Sequence, residues 1–347
     1  MAALKTPSSS GGVESLPHFA ARMEDRIHSF REKRARKRGL TPTVIPYTGY
    51  GTTSWVRVLC RVLLTKPGPS SDVRYKKIRG WRSFTSVPVN DVAVTVEVGD
   101  VSKRVTADRG GVVDVVLPAT TSPGWHTITI RTDESEVIEA PVFIVDPAVR
   151  FGVISDIDDT VMVTALPRPL LAAWNTFVLD EHARRPVPGM AVLLERLARE
   201  HPGAPVIYLS TGAWNVAPTL GRFLSRHLYP PGPLLLTDWG PTHDRWFRSG
   251  REHKRASLAR LAREFPDIRW LLVGDDGQND EATYGEFIEA HPTSVAAIVI
   301  RQLSNSEAVL AGRHPRPDLP PATQSAPWIY AGDGARLLEQ LTEAKLL

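Results

Sequence analysis

The stretch Arg150-Phe151-Gly152-Val153-Ile154-Ser155-Asp156-Ile157-Asp158-Asp159-Thr160-Val161 runs a short apolar strand candidate directly into three carboxylates. Carboxylates crowded at the end of a strand repel one another unless a cation sits among them. An all-oxygen donor set suits a hard ion, here magnesium. With such an ion neutralising a phosphate, Asp156 is placed to attack phosphorus. Asp158, two residues on, would protonate the leaving oxygen and then activate water, while Thr160 fixes the turn. A lone Asp-x-Asp is equally at home in a capped turn or a helix start, so its company decides its meaning. A calcium loop is excluded, because the glycine and the twelfth-position glutamate of that motif are missing.

Working outward from this stretch, the pattern after Asp146-Pro147 alternates apolar runs with helical segments, as in a parallel sheet with crossover helices. Strand candidates are Phe151 to Ser155, Val206 to Ser210, Leu234 to Thr237, Trp270 to Gly274 and Val295 to Ile300. Helix candidates are Met190 to Arg199 and Arg255 to Phe265, the latter carrying Leu258, Leu261, Ala262 and Phe265 on one face. Ligand sites in open sheets of this kind lie outside the carboxyl ends of the strands.

Two further polar clusters follow strand candidates in the same way. Ser210-Thr211-Gly212 stands where a strand is expected to turn into a helix, whose backbone amides bind phosphate with help from a hydroxyl. Taken alone, it is also an ordinary N-cap. Gly274-Asp275-Asp276-Gly277-Gln278-Asn279-Asp280 supplies carboxylates that would complete a metal's oxygen shell. Between the two lies His253-Lys254, expected at the start of a helix, where the lysine would neutralise both phosphate and carboxylates.

Upstream, from Thr41 to Asp146, the periodicity is two. Val92, Val94, Val96 and Val98 alternate with Ala93, Thr95 and Glu97, and turn signals such as Asp108-Arg109-Gly110-Gly111 recur without an intervening helix. A small antiparallel sandwich is the expected form. Residues 1 to 16 are rich in Ser, Gly and Pro and are expected to be disordered. Phe19, Met23, Ile27 and Phe30 then recur at helical spacing beside the basic run Arg31, Lys33, Arg34, Arg36, Lys37, Arg38, with Gly39 as the stop. Such a helix either docks on the protein's own body or meets an anionic surface. The expected organisation is therefore 1–40, a start with a basic helix; 41–146, a β-sandwich; 147–312, the catalytic unit; and 313–347, a proline-rich stretch with a last helix from about Gly334 to Leu346.

Composition excludes several classes. One cysteine, Cys60, permits neither an intrachain disulfide nor a cysteine-rich metal site. No apolar stretch approaches the ~20 residues of a membrane span, and Met1 to Gly12 lacks the apolar core of a secretory signal, so a cytoplasmic protein is expected. The net charge of +4 is mild, and no nucleic-acid partner is expected.

The order acidic pair, hydroxyl, lysine, acidic pair resembles the haloacid dehalogenase (HAD-like) superfamily of phosphohydrolases: Asp156, Asp158 and Thr160, then Ser210, then Lys254, then Asp275 with Asp280. The resemblance implies Asp156 as nucleophile and magnesium ligand and Asp158 as acid/base that also offers its backbone carbonyl to the metal. Asp275 would be the remaining carboxylate ligand, with Asp280 supporting the metal shell or Lys254. A closer resemblance, carried by Arg150 to Val161, by Gly232-Pro233-Leu234-Leu235-Leu236-Thr237-Asp238-Trp239-Gly240 and by Gly274 to Gln278, is to the actin-patch-associated phosphatidate phosphatase family. Pro46-Tyr47-Thr48-Gly49-Tyr50-Gly51 and Gly124-Trp125-His126 resemble the sheet domain of its bacterial members. Two departures stand out: Asp276 replaces an expected Ser, and Ser210-Thr211-Gly212-Ala213 replaces a Ser-Pro-rich turn. The resemblance implies a phosphate monoester substrate, an anionic lipid such as phosphatidate, with a soluble phosphomonoester as the alternative; the basic helix and one apolar segment suggest peripheral attachment to membrane. The apolar run Leu170 to Leu179, with Leu166 and Arg168 before it and Arg184 and Arg185 after it, either packs as a core helix or dips into a lipid surface while the arginines hold anionic headgroups.

Overall fold

The structure is a computed structural model that describes residues 29–66, 87–163, 184–237, 243–277, 279–304, 307–308 and 326–347, with the backbone alone for 243–249. The expected disorder before residue 17, most of the apolar segment from 164 to 183 and the proline-rich stretch from 313 lie outside the described residues.

A helix, α1, spans 29–37 and ends at Gly39, whose φ of 76° closes it in the left-handed conformation that glycine adopts without strain. Phe30 is 65% exposed, whereas Ala35 is buried and Arg36 pairs with Glu134. The end of this helix therefore rests on the chain's own sheet.

Nine strands follow: β1 (Thr41–Pro46), β2 (Gly49–Thr52), β3 (Trp55–Thr65), β4 (Val87–Pro88), β5 (Ala93–Val98), β6 (Val101–Thr106), β7 (Val112–Pro118), β8 (Gly124–Thr132) and β9 (Ile138–Val145). They form one nine-stranded sheet in the order β1-β3-β2-β9-β8-β5-β6, with β4 and β7 also pairing with β3. The alternation of β5, with Val94, Val96 and Val98 buried, matches its period-two sequence. The unit is not wholly antiparallel, as its sequence suggests, because β2 pairs in parallel with β9. That pair joins strands far apart in sequence, which alternation alone does not reveal.

The second sheet is entirely parallel. It contains β10 (Phe151–Asp156), β13 (Val206–Ala213), β14 (Leu234–Thr237), β15 (Arg269–Asp275), β16 (Val295–Arg301) and β17 (Trp328–Ala331), in the order β14-β13-β10-β15-β16-β17. A two-stranded ribbon pairs β11 (Met162–Val163) with β12 (Arg185–Pro186). Helices α2 (Met190–Glu200), α3 (Ala217–Arg226), α4 (His243–Glu264), α5 (Asp280–Ala290) and α6 (Gly334–Glu343) accompany the parallel sheet. The near-continuous burial of β10, β15 and β16 is that of strands covered on both faces. The chain starts in the middle, at β10, winds outward through β13 to β14, then returns to the other side of β10 with β15. The order thus reverses between β10 and β15, and the crevice at such a reversal is where open sheets bind ligands.

The segment after 325 is more than a tail. β17 extends the parallel sheet and α6 packs against the start of α2, where Gly334 N–H donates to Pro188 O at 2.9 Å. At Gly189, φ is 75° and a Cβ would lie 2.5 Å from Ala335 N, so only glycine fits this close approach.

Candidate active site

Asp156 is the last residue of β10, and Asp275 is the last residue of its neighbour β15. Both strands end beside the reversal in strand order, so the sheet itself brings the two carboxylates together. Asp280 joins them from the first position of α5, five residues after Asp275. The tight return between them is possible because residue 274 is glycine: a Cβ there would meet Asp280 Oδ2 at 2.7 Å and the Tyr284 ring at 2.8 Å. Oxygen atoms of Asp156, Asp275 and Asp280 all lie within 4.8 Å of one another, and all three residues are buried.

Asp158 is buried beside this group but faces the other neighbour of β10, where its Oδ2 accepts a 2.9 Å hydrogen bond from Ser210 Oγ of β13. The two carboxylates of the Asp-x-Asp motif are therefore sorted to different partners, one towards the acidic cluster and one towards the hydroxyl. The turn between them and Thr160 is tight, with Asp159 at φ 59°. Its carbonyl accepts a 2.7 Å bond from Arg301 Nη1, and its N–H donates to Met162 O. Thr160 Oγ1 lies 3.5 Å from Asp275 Oδ2.

Lys254 is buried with its Nζ 2.7 Å from Asp156 Oδ1 and 2.5 Å from Asp280 Oδ1. It sits in the middle of α4, not at a helix start, because the helix begins at His243, well before the apolar periodicity that marks it in sequence. The Ser210-Thr211-Gly212 expectation also needs correcting. These residues lie within β13, and a 3-10 turn at Trp214–Val216 separates the strand from α3, so no helix N-terminus stands directly behind them. Ser210 Oγ accepts instead from Gly212 N–H, and Thr237 Oγ1 donates towards Thr211 O and Gly212 O.

Three negative groups and one positive group share this buried volume, with Asp158 adding a fourth carboxylate nearby. Burial raises the pKa of Asp156 well above the usual carboxylate range, and the attraction of Lys254 does not cancel it. Burial likewise raises Asp275, and it raises Asp158 against the opposing hydrogen bond from Ser210. Burial works against the charge on Lys254, yet Asp156 and Asp280 outweigh it and hold the ammonium protonated. Asp156 Oδ2 and Asp158 Oδ1 are buried and meet no hydrogen-bond donor among the described residues. A buried oxygen left without a partner costs on the order of 1–3 kcal/mol, and more when charged. A divalent cation among Asp156, Asp275 and Asp280 answers both the unpartnered oxygen and the surplus of negative charge, so the donor set fits a hard metal ion.

Three members of the site are hard to find in the sequence. Arg301 ends β16 beside Asp275, is buried, and ties Asp159 O to Glu307 Oε1, each at 2.7 Å. Thr237 and Gly274 act through carbonyls and through the lack of a side chain, which no motif spacing announces. Asp276, the departure from the expected Ser, is turned away from the acidic cluster far enough for Oδ1 to accept from Leu303 N–H at 2.9 Å. Arg184, expected at a lipid surface, is only 5% exposed and donates towards Thr219 O; Arg185 beside it is exposed.

The family model described as "Phosphatidate phosphatase APP1, catalytic domain" matches residues 151–302. Phosphatidate phosphatase APP1 of Saccharomyces cerevisiae is 27% identical over 249 residues, which are 68% of this chain and 41% of that protein. An uncharacterized protein of Schizosaccharomyces pombe is 26% identical over 244 residues, or 67% of this chain and 40% of that one. The chain thus spans about two fifths of the length of these relatives. Among solved structures, a carbohydrate acetylesterase from Xanthomonas citri aligns over 78% of this chain and 73% of its own, at 12% identity and a TM-score of 0.28, a likeness that carries no argument. The matched span opens at the first residue of β10, closes one residue past Arg301, and contains Asp156, Asp158, Ser210, Lys254, Asp275 and Asp280. By that match, residues 151–302 are similar to the APP1 family of catalytic domains.

Proposed function

We propose that this chain is a magnesium-dependent phosphoric monoester hydrolase of HAD-like type that removes phosphate from phosphatidate through an aspartyl-phosphate on Asp156. The observation that carries the proposal is the sorting of the two motif carboxylates. Asp156 stands in the acidic cluster beside Lys254, and Asp158 stands two residues on with an unpartnered oxygen. The yeast relative named as a phosphatidate phosphatase supports the substrate class.

Magnesium, held by Asp156, Asp275 and Asp280 with the backbone carbonyl of Asp158, would supply the positive charge that lets a phosphate dianion approach a carboxylate. Asp156 attacks phosphorus, an aspartyl O–P bond forms and the ester O–P bond breaks. Asp158 donates its proton to the departing alkoxide, and its raised pKa suits a carboxyl that must carry a proton near neutrality. It then takes a proton from water as the water attacks phosphorus, the aspartyl O–P bond breaks, and inorganic phosphate leaves. Lys254 neutralises Asp156 and the incoming phosphate, while Ser210 keeps Asp158 turned towards the reacting oxygen. Cytoplasmic placement with peripheral attachment through the basic α1 belongs to the same proposal, and the buried Arg184 is not part of that attachment.

The test is phosphate release, with magnesium, from dispersed phosphatidate and from a small soluble phosphomonoester. The expected result is a higher kcat/KM for the lipid, together with binding to phosphatidate-containing vesicles that weakens as salt rises. Turnover of the soluble ester alone, with no vesicle binding at low salt, would replace the lipid assignment by a soluble-substrate phosphatase.

A further inference from the structure

The segment Ser210–Gly212 is held less by its sheet than its place in β13 suggests. The ladder between β10 and β13 ends at Asp156↔Leu209, and that between β13 and β14 skips from Leu209↔Leu235 to Ala213↔Thr237. The three residues, of which Ser210 donates to Asp158 and all are candidate phosphate contacts, therefore lack ladder partners on both sides. Within the catalytic sheet, Thr237 fixes the carbonyls of Thr211 and Gly212. The segment's exit, Trp214, is fixed by the other domain.

That second fixture is Tyr47, from the Pro46-Tyr47-Thr48-Gly49-Tyr50-Gly51 stretch. Its ring stacks on Trp214, with centroids 4.7 Å apart and planes 19° from parallel, and its hydroxyl donates to Trp214 O at 3.1 Å. Both residues are buried, and Tyr47 N–H donates to Leu59 O of β3, so the clamp is rooted in the β-rich unit. The two glycines that follow make the stretch compact enough to reach. A Cβ on Gly49 would lie 2.5 Å from Arg57 O, and one on Gly51 would lie 2.2 Å from Trp55 O. Tyr50 uses the same stretch to meet the C-terminal end of α4, donating to Glu264 Oε2 at 2.8 Å.

We infer that Tyr47 is a positioning residue: through Trp214 it holds the off-ladder segment Ser210–Gly212 in register with Asp158, which makes the β-rich unit a structural part of the active site. The inference builds on the proposed phosphatase reading, but its first readout does not need activity. In the full-length protein, Tyr47→Phe keeps the ring and removes one hydrogen bond. Amide hydrogen exchange across 210–214 is then expected to quicken roughly five- to tenfold, the scale of one lost hydrogen bond, with little change elsewhere in β13. Tyr50→Phe, which loosens the same interface away from the segment, should leave that exchange unchanged. In phosphate-release assays Tyr47→Phe is expected to raise the inhibition constant of inorganic phosphate and lower kcat several-fold, with a fall in melting temperature no larger than that of Tyr50→Phe.

Unchanged exchange in Tyr47→Phe, or an equal acceleration in Tyr50→Phe, would overturn the inference. If the wild-type protein releases no phosphate from any ester while exchange still responds to Tyr47 alone, the phosphatase proposal fails and the positioning role stands.

Discussion

Two clusters of charge lie along α4, a partly exposed one at its C-terminal end and a buried one at its middle, and they are built on different arithmetic. At the domain interface Arg57 is shared between Asp114 and Glu264, lies 2.5 Å from Glu264 Oε1, and has a side chain only 12% exposed. Arg260 adds a 2.9 Å contact to Asp114, and Tyr50 donates to Glu264. Two cations meet two anions there, and the carboxylates are shared among donors. At the head of the parallel sheet, Lys254 is the one cation among the described residues that pairs with Asp156 and Asp280, with Asp275 beside them. Balanced charge makes an adhesive contact that is complete as it stands. Unbalanced charge, kept buried, makes a donor set that a cation would complete.

The largest effect that would sharpen this contrast is expected at Lys254. Lys254→Met leaves Asp156 and Asp280 buried without the cation that pairs with both, which typically costs about 3–5 kcal/mol of stability. Urea unfolding without added metal reads the loss, and saturating magnesium should restore part of it, since a ligand at 100 times its Kd stabilises by about 2.7 kcal/mol. A smaller cost, about 1–3 kcal/mol, is expected for Arg57→Met, because Arg260 still serves Asp114 and Tyr50 still serves Glu264. Magnesium should not offset that loss. The exposed pair Arg104–Asp133, with side chains 60% and 61% exposed, sets the floor: Arg104→Ala should change stability by under about 1 kcal/mol. A metal response at Arg57 equal to that at Lys254 would erase the distinction between the two clusters.

How far the site could be read from sequence follows from the same contrast. The apolar runs that end in Asp156 and Asp275 are legible because a strand buried on both faces has no polar positions to interrupt it, and its first polar residue marks the sheet's edge. Asp280 and Lys254 are legible as residue types in order, but not in place. The start of α4 is hidden because its first turns, His243 to Gly250, carry little apolar periodicity. The course of Ser210–Gly212 is misread as a strand-to-helix turn because Gly212 punctuates the sequence where the strand in fact continues to Ala213. Arg301 and Tyr47 could not be found at all from local pattern, since each acts on a carbonyl more than a hundred residues away. The parallel pairing of β2 with β9 is invisible for the same reason.

The central claim is that the surplus of buried carboxylate exists to expose Asp156 to phosphorus. It is tested most directly by following phosphate release from phosphatidate with magnesium in the wild-type protein and in Asp156→Asn, alongside acid-quenched peptide mapping of Asp158→Asn after brief exposure to substrate. The account predicts a loss of about 10⁴-fold or more in Asp156→Asn, since an amide is neither a nucleophile nor an adequate magnesium ligand. It predicts a phosphate adduct on the peptide carrying Asp156 in Asp158→Asn, where the base that activates water is missing. Wild-type turnover by Asp156→Asn in the presence of magnesium would contradict it.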